Sequence, residues 1–327
     1  MLRYIFRRLL SVIPVLLIVS VLSFIIIQLP PGDFVTSRIM ELELQGTKTS
    51  EAQAAMLRQQ YGLDRPPIER YFKWMGGLLR GDLGKSFMYN RPVSTLIGER
   101  LILTATISIL SILLTWLIAI PVGIYSATHQ YSPLDYAFTF VGFIGLATPP
   151  FLIALILMYF SHTYFDFTIT GLFSQEFETQ PWSLAKVIDM LKHMWVPALI
   201  IGSAGTAGMI RVMRGCLLDE LRKQYVITAR AKGVSETKLI FKYPVRVAIN
   251  PLLSTVGWML PGIISGEVIV SIVLNMPTTG PMLLKALESQ DMYLAASFIM
   301  ILSALTVVGT LISDILLAWS DPRIRYD

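Results

Sequence analysis

Long runs of apolar residues alternate with polar connections along the whole chain. Six of these runs are long enough to cross a bilayer as a helix, because ~20 apolar residues span its hydrocarbon core. They are residues 11–29, 101–127, 134–161, 195–213, 248–274 and 293–319. The pattern predicts an all-α integral membrane protein with six transmembrane helices.

Residues 30–100 form the one long polar stretch between two of these runs. Ser50 and Gln53 have the spacing of a capping box, which predicts a helix that begins there and ends at Gly62. Pro66 and Pro67 predict the start of a second helix, because proline is favoured in a first helical turn. One face of that second helix carries Tyr71, Trp74, Met75 and Leu78. We expect it to lie along the membrane or to pack on the bundle.

Composition supports the membrane assignment and narrows the chemistry. Of 327 residues, 54% are hydrophobic and 15% are charged, and the mean hydropathy is +0.61, which is typical of an integral membrane protein. The single cysteine, Cys216, excludes an intramolecular disulfide, and three scattered histidines show no metal-ligand spacing. The net charge of +5 is concentrated in particular loops, so no nucleic-acid partner is predicted.

The distribution of basic residues predicts which side of the membrane each loop occupies. Arginines and lysines gather near the N-terminus, between the fourth and fifth runs and near the C-terminus. Because basic residues concentrate in short cytoplasmic loops, both termini are expected in the cytoplasm. The long insertion between the first two helices is then extracytoplasmic.

Two features inside the apolar runs are candidates for a role in a transport pathway. Thr148, Pro149 and Pro150 interrupt the third run, and such a break is tolerated where neighbouring helices or a water-filled cavity satisfy the backbone. A simple packing kink explains this break equally well. Glu267 is the clearest acid inside a predicted span, and such acids are functional candidates by default. We expect Glu267 to line a path or to pair with a partner subunit.

The most basic stretch, residues 224–251, lies between the fourth and fifth runs. Its first part predicts a helix that ends at Gly233, because glycine adopts the left-handed conformation of a helix end easily. Ser235 is the expected N-cap of a second, short helix that ends near Lys242. An ordinary basic cytoplasmic loop would have the same composition, so only the order of the residues distinguishes the two interpretations.

That order closely resembles the cytoplasmic EAA-type loop of ABC importer permeases, in the form shown by the peptide/nickel permease family. In that family the loop contains the coupling helix that docks on an ATPase subunit. The general pattern has Glu and Ala where this chain has Ile227 and Thr228. The resemblance assigns ATPase coupling to Thr228, Ala229, Arg230, Ala231, Lys232, Gly233, Val234 and Ser235.

Motifs elsewhere extend the resemblance over nearly the whole chain. The sequences YGLDRP at 61–66, GDLGKS at 81–86 and RPV at 91–93 resemble the external stretch of peptide-type permeases that the substrate-binding protein can contact. After the fifth run the chain departs from the family pattern. Ser271 stands where the family usually has Glu, and Pro277-Thr-Thr-Gly280 replaces Pro-Gly-Leu-Gly.

The resemblance implies a type I ABC importer permease fold in a bacterial or archaeal cytoplasmic membrane. It implies four kinds of partner besides the lipid bilayer: a second homologous permease, two cytoplasmic ATPase subunits and an extracytoplasmic substrate-binding protein. The chain itself is expected to be no enzyme and to hold no cofactor or metal, since ATP and Mg²⁺ bind to the ATPases. The implied cargo is di- or oligopeptides, with oligosaccharides, nickel and glutathione as alternatives.

The expected division is a first helix with its cytoplasmic end (1–29), the insertion (30–100), a permease core (101–319) that includes the coupling loop (215–247), and a tail (320–327). One rival interpretation is an ion-coupled secondary transporter, which needs several buried ionisable residues and usually internal repeats. Only Glu267 and Asp314 are candidates for such residues. An intramembrane enzyme is a more remote rival, because no nucleophile and base are suitably placed.

Overall fold

The computed structural model describes residues 2–46, 50–165 and 169–320, with the side chains of 2–9, 255–266, 313 and 316–320 excluded. These residues form helices joined by turns, with one isolated bridge between Lys85 and Pro92. The helices are α1 (Leu2–Gln28), α2 (Phe34–Leu44), α3 (Glu51–Tyr61), α4 (Pro67–Leu78), α5 (Val93–Thr128), α6 (Pro133–Ala147), α7 (Pro150–Phe165), α8 (Gln175–Glu178), α9 (Leu184–Leu221), α10 (Gln224–Ala231), α11 (Glu236–Lys242), α12 (Pro244–Ala248), α13 (Asn250–Val273), α14 (Thr279–Glu288) and α15 (Met292–Ser320).

The chain divides into two compact units. Unit 1 comprises Met1–Leu103 and Thr278–Val307, and unit 2 comprises Thr104–Pro277 and Val308–Asp327. Unit 1 therefore contains the whole polar insertion, residues 30–100. Unit 2 contains the basic stretch, residues 224–251, whose helices α10 and α11 are called the coupling stretch.

The helix starts and ends predicted for the insertion are confirmed. Ser50 and Gln53 form both hydrogen bonds of the capping box at the start of α3, and Gly62 ends that helix with φ +67°. Pro67 is in the first turn of α4. The predicted apolar face of α4 is also correct, because Trp74 is buried and its three companions pack against the same core.

Aromatic rings and one buried carboxylate hold unit 1 together. The rings of Phe34, Tyr61, Phe87 and Tyr293 pack against one another with centroids 5.0 to 5.4 Å apart. Asp291, fully buried beside them, accepts hydrogen bonds from the Ser86 hydroxyl at 2.6 Å and the Met88 amide at 3.0 Å. This carboxylate also caps the start of α15 through the Leu294 amide. Because unpaired polar groups are costly to bury, these contacts give residues 86–88 a fixed conformation.

Unit 2 is a bundle in which α9 packs against α6, α7, α12 and α13. Glycine permits the closest approaches. A Cβ atom on Gly202 would lie 2.7 Å from the Thr115 hydroxyl, and one on Gly123 would lie 2.6 Å from the Met213 Cβ. Side chains at these two positions would therefore push α5 and α9 apart.

Four helices in the described part of the chain are long and apolar enough to cross a membrane, and the pair α6–α7 makes a fifth if it is one broken span. The four segments are Leu10–Gln28, Val93–Thr128, Leu184–Leu221 and Met292–Ile312. The predicted fifth span coincides with α13, whose central side chains lie outside the described residues.

Two boundaries differ from the prediction. The fourth apolar run begins at residue 195, but α9 begins at Leu184, because the Ser183 hydroxyl accepts a capping hydrogen bond from the Lys186 amide. Similarly, α5 begins at Val93, within the stretch assigned to the insertion. In both cases the helix begins before the apolar run, so hydropathy alone places its start too late.

Candidate functional site

The coupling stretch consists of α10 and α11, joined by a short turn. Val226, Ala229 and Leu239 are buried between the two helices, and Val234, Ile240 and Tyr243 pack around them. The two helices therefore form a small hairpin with a core of its own. Its polar residues face outward.

Gly233 makes the turn between the helices. It has φ +76°, a conformation that side chains other than glycine's rarely adopt. The Gly233 amide donates to the Arg230 carbonyl at 3.0 Å, and the Val234 amide donates to the Ala229 carbonyl at 3.3 Å. These bonds close the end of α10. A Cβ on Gly233 would meet no described atom within 4 Å, so backbone conformation rather than space restricts this position.

Across the turn, Arg230 and Glu236 form an ion pair on the exposed surface. The Arg230 guanidinium donates from Nε to Glu236 Oε1 at 2.5 Å and from Nη2 to Oε2 at 3.1 Å. The hydrogen bond from Arg230 lowers the pKa of Glu236 below its usual value. Ser235 occupies the N-cap of α11 as predicted, but its side chain makes no capping hydrogen bond within the described residues.

The eight residues assigned to coupling divide clearly by exposure. Ala229 is buried and Val234 is half-buried. The other six are exposed: Thr228, Arg230, Ala231, Lys232, Gly233 and Ser235. Three large apolar side chains, Tyr225, Ile227 and Phe241, are also exposed on the same hairpin, at 40%, 48% and 58%.

The hairpin is attached to the bundle through α12, which the sequence did not single out. In α12, Pro244, Val245 and Ala248 are buried, and the helix packs against α11 on one side and α9 on the other. The local signal for α12 is Pro244, because proline is favoured in the first turn of a helix. Thus α12 connects the hairpin to α9, the longest helix of unit 2 in the described part of the chain.

The in-span candidates do not come together in one site. Thr148 is extended at the end of α6, and α7 begins at Pro150, so that the two helices are bent by 104°. Glu267 lies on α13 and is only 1% exposed. Its carboxylate accepts hydrogen bonds from Thr104 on α5 at 3.5 Å and Ser271 at 3.3 Å.

A buried ion pair in unit 2 was missed by the sequence reasoning. Asp135 at the start of α6 is 3% exposed and accepts a hydrogen bond from Arg214 of α9 at 3.0 Å. Both residues stand at the ends of apolar runs, where charged residues are common. No local pattern indicated that they would pair across 79 residues.

Comparison with known families identifies the architecture. Residues 119–326 match the family described as the inner membrane component of binding-protein-dependent transport systems, and residues 1–109 match the N-terminal region of such components. The chain belongs to this family. It is a membrane permease subunit of an ABC transporter.

Individual relatives extend over the full length of the permease. This chain is 36% identical over 327 residues to the oligopeptide transport system permease protein AppB of Bacillus subtilis, with 99% of each chain covered. It is 31% identical over 326 residues to the glutathione transport system permease protein GsiC of Salmonella paratyphi A, with all of both chains covered. A putative peptide permease of Brucella suis is also 31% identical, with 99% of each chain covered.

Proposed function

We propose that this permease forms half of the translocation pathway of an importer for di- or oligopeptides. The relatives named for oligopeptide, peptide and glutathione transport support this cargo class, because they align with the permease from end to end. Glutathione is itself a modified tripeptide, so the three names describe one kind of chemistry. Direct binding measurements on the partner substrate-binding protein test the cargo class; selective binding of a sugar or of nickel alone would contradict it.

The observation that carries the mechanism is the hairpin of α10 and α11. Its buried residues come from both helices, whereas six of the eight residues assigned to coupling are exposed. Exposed apolar side chains beside exposed basic ones are suited to a protein partner, because such a patch gains from burial and steers association. The partner is a cytoplasmic ATPase subunit that binds ATP and Mg²⁺.

The attachment of the hairpin through α12 supports a route by which movement of the ATPases reaches the bundle. When the ATPases close on ATP, the hairpin moves with them, and α12 transmits the displacement to α9. A second permease subunit, related to this one, completes the pathway and docks on the second ATPase. The substrate-binding protein delivers peptide from the opposite side.

This function requires six spans with both termini in the cytoplasm of a bacterial or archaeal cell. Five candidate spans and α13 provide the helices, and the basic residues near the two ends and in the coupling stretch support the orientation. In a Cys216→Ser background, an impermeant thiol reagent added outside should label cysteines at Glu178 and Glu288 but not at Ser235. Labelling of the Ser235 site alone would reverse the assigned orientation.

The decisive experiment changes the turn of the hairpin. Gly233→Val places a β-branched residue at φ +76°, where a left-handed conformation costs roughly 1–2 kcal/mol or more. We expect the six helices to insert normally, while α11 is displaced and stimulation of ATP hydrolysis by loaded binding protein is lost. Gly233→Asn is the matched control, because asparagine tolerates this conformation best after glycine. The readout is ATPase activity of the purified complex in lipid, with and without binding protein and peptide.

Two results would contradict the coupling role. One is full stimulation of the Gly233→Val complex with normal subunit stoichiometry. The other is an equal loss in the valine and asparagine variants, which would show that the glycine matters for a reason other than its backbone conformation.

A further inference from the structure

Helix α4 has a second apolar face that no part of the described chain covers. Ile68, Phe72 and the C-cap residue Leu79 are 61%, 65% and 81% exposed. Spacings of four and seven residues place all three on one side of a helix. Trp74 and its companions point instead into the core of unit 1. In a helix surrounded by water, this second apolar face would not contribute to stability, because apolar side chains stabilise a structure only when they leave water.

Contacts with α1 fix the height of α4 along the first membrane span. The Phe24 ring lies 5.3 Å from the Tyr71 ring and 6.3 Å from the Trp74 ring. Phe24 is four residues before the end of α1 at Gln28, which corresponds to about 6 Å along the helix axis. Helix α4 therefore lies beside the last turns of an apolar span, not beyond its end.

A hydrogen bond at this height supports burial of α4 in the membrane boundary. The hydroxyl groups of Tyr71 and Ser20 meet at 2.9 Å, and Arg70 donates to the Gln28 side chain at 2.8 Å. Polar groups within an apolar layer need partners of this kind, because water is scarce there. The contact between Tyr71 and Ser20 lies deeper along α1 and joins two uncharged hydroxyl groups. The charged Arg70 side chain instead reaches Gln28, the last residue of α1.

The last span gives an independent measure of the same depth. The Trp74 indole nitrogen donates to the Ser297 hydroxyl of α15 at 3.2 Å. Ser297 is five residues after α15 begins at Met292, or about 7 Å inside that helix. Two membrane helices thus hold α4 at nearly the same distance from their ends.

The surface of α1 at this height is already apolar and exposed. Val21, Leu22, Ile25 and Ile26 are 43%, 52%, 49% and 56% exposed within the span. Lipid is the solvent for such residues in a transmembrane helix. The exposed residues Ile68 and Phe72 of α4 are equally apolar, while Glu69 and Lys73 are exposed polar residues of the same helix.

We propose that α4 is an interfacial helix whose face of Ile68, Phe72 and Leu79 contacts the acyl chains of the leaflet on the side of the insertion. Amphipathic helices of this type bury their apolar face about 5–10 Å into the boundary between headgroups and acyl chains, which agrees with the depth set by Phe24 and Ser297. Glu69 and Lys73 lie at the level of the headgroups. The occupant of this face is lipid, and the proposal does not depend on the cargo.

Spin labels distinguish lipid from water and from protein at this face. Single cysteines replace Ile68, Phe72 and Leu79 in a Cys216→Ser permease, and the complete transporter is reconstituted in bilayers. Collision rates with oxygen, which concentrates in the acyl chains, and with a neutral water-soluble nickel chelate are then compared. Glu69→Cys and Lys73→Cys are the matched controls, because they lie on the same helix beside the labelled face.

We expect oxygen collisions to exceed chelate collisions at the three apolar positions, and the ratio to invert at the two controls. Higher chelate access at positions 68, 72 and 79 would show an aqueous surface and overturn the proposal. Low access of both reagents would show that protein covers the face and would also overturn it. Each position is read separately, so a label that prevents assembly at one site leaves two others.

Discussion

In unit 1, Asp291 accepts hydrogen bonds from Ser86 and Met88, more than 200 residues earlier in the chain. In unit 2, the comparable long-range contact is made at Gly202, where helix α9 approaches the Thr115 side chain of α5 closely. In unit 1, polar contacts of this kind stand beside packed aromatic rings. In unit 2, glycines let α5 and α9 touch, beside polar pairs such as Asp135 and Arg214. The buried carboxylate needs particular hydrogen-bond donors at fixed positions, whereas the close helix contact needs only the absence of a side chain at Gly202.

This difference fits the parts that the two units contain. Unit 1 carries a long polar insertion whose backbone groups need partners once they are buried. The side chain of Asp33 shows the same principle at the start of α2. Burial would raise the pKa of Asp33, but hydrogen bonds from Arg58 and Thr36 outweigh burial and lower it. Unit 2 carries the hairpin of α10 and α11, which moves with the ATPase in the function proposed above.

The largest effect is expected from Asp291→Ala in unit 1. The substitution removes three accepted hydrogen bonds and strands the buried Ser86 hydroxyl and the Met88 amide. Each stranded donor costs about 1–3 kcal/mol, so we expect a loss of roughly 3 kcal/mol or more. Limited proteolysis of the complex in lipid should then cleave the insertion near residues 84–91.

Glu288→Ala is the matched control for this prediction. Glu288 is an exposed acid three residues before Asp291, at the end of α14. Its removal should leave proteolysis unchanged. Equal resistance of both variants to protease would show that the Asp291 contacts do not hold the insertion.

A smaller effect is expected at the buried acid of unit 2. Glu267→Ala removes the acceptor for Thr104 and Ser271 and leaves a cavity between α5 and α13, whereas Glu267→Gln keeps an oxygen at the same place. We expect transport to fall several-fold in the alanine variant and by less than twofold in the glutamine variant, with both complexes assembled. Equal losses in transport assays would mean that the negative charge itself is needed, as it would be in a pathway.

The features that the sequence predicts well are those encoded within a few residues. The capping box at Ser50, the turn at Gly233 and the apolar face around Trp74 all depend on local spacing.

The features that the sequence did not predict depend on residues far apart. Asp291 and Ser86 are separated by 205 residues, and Asp135 and Arg214 by 79. Neither pair has a spacing that distinguishes it from other charged or polar residues. The break at Pro149 was evident from two consecutive prolines, but its angle of 104° depends on how α7 packs against α9 and α13.

The smallest effect is expected on the exposed surface of the coupling hairpin. Arg230 and Glu236 are both exposed, and solvent screens such a pair strongly. Exchange of the two residues, Arg230→Glu with Glu236→Arg, keeps the pair and should leave stimulated ATP hydrolysis nearly unchanged. Arg230→Glu alone places two acids together and is the control for repulsion.

The pH dependence of this pair follows from the direction of the pKa shift. Arg230 lowers the pKa of Glu236 below its usual value of 4.5, so the contribution of the pair is complete above that value and is lost as the pH falls through the lowered pKa. Between pH 6 and pH 8 the native pair should therefore show no titration. If the exchanged variant instead loses stimulation of ATP hydrolysis as fully as Gly233→Val, the surface charges themselves bind the ATPase, and the hairpin's apolar residues are secondary to them.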